Sequence, residues 1–191
     1  MRRAPFPVRA GLCPPMLLLA RALALPCTLF ARLAGLLLLV LTAVILYDVV
    51  GRRFFATGSI KLQELEWHLH GAIAVLACGY TYIHNAHVRV DIFAHRMSER
   101  VRIRLELFGV LFFLLPFMVL LLWFGWEFAE RSFVRAESSP GGLGLTNRWI
   151  IKSAIPVSAA LTILAGLSVA LRCIAALRAP AGETPDPFEP S

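Results

Sequence analysis

The sequence predicts an all-α integral membrane protein: four membrane-spanning helices, with an amphipathic interfacial helix on the cytoplasmic side. Three observations predict it. The chain is 58% hydrophobic and only 16% charged, against about 25% charged in a soluble domain. Its apolar residues gather into four runs of roughly the 20 residues that crossing a bilayer requires. The runs are continuous rather than alternating, which is the pattern of helices and not of barrel strands.

The first span is expected at 30–50. It holds the leucine block Leu36 to Leu41 and no charge between Arg32 and Asp48. The second is expected at 62–83, the third at 105–126 and the fourth at 150–171. Tyr47, Tyr80, Tyr82, Trp123, Trp126 and Trp149 lie near the ends of these spans, where amphipathic rings favour the interface. Pro116 should kink the third span by removing one backbone hydrogen bond. Gly35, Gly71, Gly79, Gly109 and Gly166 would permit close helix approach. Residues 1–28 read as a cytoplasmic N-terminal extension on the membrane surface, with Met16 as an alternative start. Residues 29–177 form the four-helix domain. The proline-rich, acidic tail 178–191 is expected to be disordered and cytoplasmic.

Orientation follows the distribution of basic residues. Twelve of the 19 Lys and Arg fall before the first span or at its edge, between the second and third, and after the fourth; seven fall in or beside the other two segments. The richer side should be cytoplasmic, with both termini on it. A net charge of +7 arranged this way is a membrane-orientation signal, and no nucleic-acid-binding motif accompanies it.

The polar residues concentrate in three places. The start of the second span carries Gln63, Glu64, Glu66 and Trp67, with Gln63, Glu66, Trp67 and His70 on one face and Glu66 four residues before His70, within pairing distance. This is either a contact surface for another protein or helix, or a helix end solvated by headgroups. Asp48 and Arg52 are also four apart at the end of the first span, in position for an ion pair. Between the second and third spans runs His87-Val88-Arg89-Val90-Asp91, followed by Arg96, Arg100 and Arg104 every fourth residue. The arginines make a basic stripe suited to an anionic leaflet, and Ser98 stands where a helix cap would. Arg148, Trp149 and Lys152 open the fourth span, where they either meet an acidic partner or snorkel to the interface.

Several chemistries lack their residues. No C-x-x-C pair occurs among Cys13, Cys27, Cys78 and Cys173. All five histidines lie between residues 68 and 95, so no two spans offer facing haem ligands. Glu-x-x-His spacing is absent from the second span. The glycines of 141–144 are not followed by Lys-Ser/Thr in phosphate-loop spacing. No Ser-His-Asp, Cys-His or paired-carboxylate set stands out, so no cofactor, metal or catalytic residue is expected.

Taken in order, these stretches resemble the small permease subunit of TRAP (tripartite ATP-independent periplasmic) transporters, the DctQ-like family. The resemblance covers about 29–176. It rests on Leu62-Gln63-Glu64-Leu65-Glu66-Trp67-His68-Leu69, on His87 to Asp91, and on Gly141-Gly142-Leu143 with Arg148-Trp149-Ile150-Ile151-Lys152 and Ile155-Pro156 behind it. It implies a bacterial inner-membrane subunit that works with a separate large permease chain and a periplasmic substrate-binding protein to import an organic anion. Sodium coupling and the substrate site would belong to the large subunit; this chain would brace the scaffold and help dock the binding protein. Arg52, Arg53, Gln63, Glu64, Glu66, Trp67, Arg148, Trp149 and Lys152 become candidate partner contacts on the periplasmic side. Val88 to Asp91, with His87, become an inner-loop signature. The competing readings are a stand-alone four-helix assembly protein and a membrane electron-transfer protein.

Overall fold

The structure, a computed structural model, describes residues 14–87, 97–139 and 144–178, together with Phe188. All its regular elements are helical: α1 (Pro14–Phe55), α2 (Ile60–Leu76), α3 (Cys78–Ile83), α4 (Glu99–Gly109), α5 (Leu115–Val134) and α6 (Trp149–Arg178), with a π-helical turn at Val110–Leu114 joining α4 to α5. Three continuous helices are long and apolar enough to cross a membrane: α1, the α4–α5 rod, and α6. The fourth pass is α2 followed by α3, and it is broken at Ala77.

α1 opens on Pro14 and Pro15, whose missing N–H groups fall where a first helical turn leaves them unpaired anyway. It then runs 42 residues, through Pro26, so residues 14–28 continue the helix of the first span. Its buried positions recur every seventh residue: Ala20, Cys27, Ala34, Leu41 and Asp48, all at most 4% exposed. A strict seven-residue repeat marks a left-handed coiled seam. The Cys27 thiol donates to the Leu161 carbonyl, and the Ser168 hydroxyl donates to the Ala20 carbonyl at 2.7 Å. At Ala20 and Cys27 the seam therefore lies against α6.

The break at Ala77 coincides with side-chain hydrogen bonds to the helix carbonyls. Ser158 of α6 donates to the Val75 carbonyl at 2.5 Å, Cys78 reaches back to Ala74, and Thr81 donates to Cys78 at 2.9 Å. Side-chain donors that compete for helix carbonyls loosen the i to i−4 ladder. Beyond it, Gly79 is buried so closely on α6 that a Cβ would stand 3.1 Å from the Leu161 backbone. Gly166 plays the same part towards the π-helical turn, with Leu114 2.8 Å from its missing Cβ. Gly35 and Gly109, expected to do likewise, face open space.

In the third pass, the π-helical turn ends two residues before Pro116. A proline lacks the N–H for its i−4 carbonyl and crowds that carbonyl; widening the preceding turn removes both conflicts. Ser98 sits at the start of α4 with extended backbone, but its hydroxyl makes no cap hydrogen bond.

α6 is the axis of the molecule. It touches α1, α2, α3, α4 and α5, and it supplies Leu161, Ala165, Val169, Cys173 and Ala176 to the principal buried cluster. Its buried residues are mostly Ala, Gly and Ser, the small types that let helices approach within a bilayer. Tyr82, near the end of its pass, is 9% exposed and donates to Glu106 at 2.8 Å, tying α3 to α4.

Candidate interaction site at the clamp end

At one end of the bundle the start of α2 meets residues 135–139 and 144–148, between α5 and α6. α5 stops because Ala136 turns into the left-handed region at φ 46°. The Ala136 N–H donates to Phe133 and the Glu137 N–H to Ser132, which closes the last turn with a paired set of bonds. The Ser139 N–H donates to the Leu145 carbonyl and the Arg148 N–H to the Glu137 carbonyl, both at 3.1 Å.

Two carboxylates lock this segment. Glu64 of α2 accepts the Leu145 N–H at 2.6 Å across 81 residues of sequence, with the Ser139 hydroxyl against the same group. Gly144 makes that approach possible, because a Cβ there would overlap both Glu64 Oε2 and Ser139. Glu137 receives the Lys152 ammonium in an ion pair, and that ammonium also stands 4.1 Å from the centre of the Phe128 ring. The hydrogen bond from Lys152, with the charges of Lys152 and Arg148 behind it, holds the Glu137 carboxyl below its ordinary value of 4.5. Trp149 packs edge-on against Phe133 at 5.3 Å.

Nearby, Asp48 is 1% exposed and pairs with Arg52 at 2.7 Å, so the ion pair expected from the i, i+4 spacing forms. The expected Glu66–His70 pair does not; Glu66 Oε1 is buried without a hydrogen-bond partner, and the Nε of Arg148 likewise. His68 donates instead to the Glu64 carbonyl at 2.6 Å.

The candidate contacts thus divide by role. Glu64, Arg148, Trp149 and Lys152 are engaged within the chain. Gln63 is half-buried, Arg52 and Arg53 are exposed, and Trp67 of α2 is 81% exposed. Tyr47, Phe54 and Phe55 extend the exposed aromatic surface at this end of α1. At the opposite end, His87 hydrogen-bonds Thr81 through Nε2 at 3.0 Å, and Arg100 and Arg104 are exposed on α4. Val88, Arg89, Val90, Asp91 and Arg96 lie outside the described residues.

The sequence reading missed Glu137, Ser139 and Gly144. Glu137 had a signal: it is the one acid between Arg135 and Arg148, followed by basic residues that need a counter-charge. Among the described residues, no three His, Cys, Asp or Glu side chains are grouped to hold a metal ion. What the arrangement does is mechanical: two carboxylates fasten a loop to two helices and leave an aromatic and basic rim exposed.

The sequence model of the family described as Tripartite ATP-independent periplasmic transporters, DctQ component, matches residues 41–176. No curated protein matches the chain.

Proposed function

Because the chain belongs to the DctQ family, the small permease component of TRAP transporters, we propose that it serves as the non-catalytic membrane scaffold of a complex importing an organic anion. In this reading a separate large permease subunit carries the substrate site and the sodium coupling, and a periplasmic binding protein delivers the substrate. The arginine-rich end is cytoplasmic and the clamp end periplasmic, as the excess of basic residues suggests.

The observation that carries the proposal is the clamp. Glu64 and Lys152, two of the candidate partner residues, fasten Leu145 and Glu137, and Trp67, Arg52 and Arg53 stay exposed. A rigid aromatic and basic surface suits repeated docking of a soluble partner, since little conformational freedom is lost on contact.

Co-purification tests it. The chain, tagged and extracted from native membranes in mild detergent, should bring a much larger multi-span protein in fixed stoichiometry. A homo-oligomer alone, persisting across gentle detergents, would favour a stand-alone assembly protein. Trp67→Ala and Arg53→Glu should lower uptake without loosening the complex; unchanged uptake in both would remove the rim from the docking surface.

A further inference from the structure

Among the described residues, the arginine-rich end holds a charge with no counter-charge beside it. Arg172 of α6 is 9% exposed, and its Nη1 is buried with no hydrogen-bond partner. Neither described ion pair includes it. Its electrostatic neighbour is another cation, Arg21 of α1. The fold brings the two together: Ser168, one turn before Arg172 and on the same face of α6, donates to the Ala20 carbonyl at 2.7 Å, and Arg21 is the next residue. A guanidinium withdrawn from water beside a like charge is costly unless an anion joins it.

Three features say what kind of anion. Arg172 lies 23 residues after Trp149 along one helix, about 35 Å at the helical rise. The hydrocarbon core is about 30 Å thick, so a tryptophan at one interface places Arg172 among the phosphates of the other. Leu18, Leu25 and Leu29 fall on the α1 face that carries Arg21, and each is 62% exposed, offering apolar surface beside the charge. Arg100, Arg102 and Arg104 stand exposed on α4, and Arg178 closes α6 at the same end. Such a collar draws anionic headgroups.

We propose that Arg172 and Arg21 together bind the phosphate of an anionic phospholipid, whose acyl chains lie along the leucines of α1. The site lies between helices of this chain and rests on its spanning the membrane, not on which partners it has.

The test is native mass spectrometry of the full chain, with whatever subunits accompany it, titrated with phosphatidylglycerol in detergent. A lipid adduct should form on the wild type, weaken about tenfold in R172Q, as loss of a charged hydrogen bond implies, and persist in R100Q. R21Q should weaken it too, and R172K should retain most of it, which keeps the outcome readable if R172Q folds poorly. Equal adducts on the wild type, R172Q and R21Q would overturn the site. Competition by inorganic phosphate at the same concentration as the lipid would reassign it to a free anion. Lipid binding that appears only when the chain ends at Arg178 would show that the acidic tail occupies the arginines instead, and would overturn the proposal. Co-purification of a large permease, or its failure, is read separately and does not bear on these outcomes.

Discussion

Ala136 and Ala56 both sit with positive φ, at 46° and 52°, immediately beyond a helix end. Asn85 does the same after α3, and its turn closes with the Ala86 N–H on Thr81 and its own N–H on Tyr82. An asparagine in that position is a recognisable stop signal, whereas alanine is a strong helix former that resists the left-handed region. That is why the sequence signalled one of these stops and concealed the other two. Ala136→Gly should accordingly stabilise the folded chain by about 1 kcal/mol, visible as a raised thermal midpoint in detergent. Glu137 bears on acid tolerance. A carboxyl held below its unfolded value contributes stability above the ordinary carboxylate range and loses it as the pH falls through the folded value. Residues 135–139 and 144–148 should therefore stay protected from hydrogen exchange at neutral pH and through about pH 5, then loosen only below the ordinary value of 4.5. Glu137→Gln should already be looser at neutral pH and keep only the smaller acid step that Glu64 contributes. A step of equal size in that variant would show that another group titrates.

The helices were the most legible level of the sequence, and their ends the least. Hydrophobic runs report which residues meet lipid, but backbone hydrogen bonding continues past them: α1 begins at Pro14 rather than near residue 30, and α6 runs to Arg178. The break between α2 and α3 was hidden for a different reason. It coincides with the hydrogen bond from Ser158, 83 residues away from the carbonyl it takes, and no local pattern records that. Pro116 announced a disturbance in the third pass, and its form, a widened turn ahead of the proline, follows from ring geometry. Small residues were an incomplete guide, since Gly79 and Gly166 meet neighbouring helices while Gly35 and Gly109 do not; only the rotational position of each helix separates them. Gly79→Val should push α3 from the Leu161 backbone and destabilise the fold by about 2 kcal/mol, the usual cost of overpacking. Gly35→Val, facing open space, should leave the unfolding midpoint nearly unchanged.

Across the molecule, α6 is enclosed and the other long helices are largely outward-facing. Leucines and aromatics are exposed along α1 and α5, among them Leu36, Leu39, Phe117 and Trp123, as expected where lipid or a second subunit supplies the contacts. The clamp was only half legible from the sequence. Glu64, Arg148 and Lys152 stood out by type, but their partners Leu145 and Glu137 belong to a segment whose path is set by tertiary bonds. The seven-residue seam of α1 has its own consequence, because it makes the long helix a matter of phase. One residue inserted after Ala34 would turn Leu41 and Asp48 by about 100° relative to Ala20 and Cys27, swinging an inward carboxylate towards hydrocarbon. Seven inserted residues would lengthen the helix and return both to the inner side. Membrane-inserted, folded protein should therefore fall sharply with the single insertion and recover with the sevenfold one; equal yields would mean that α1 is held by depth in the bilayer rather than by its rotational setting.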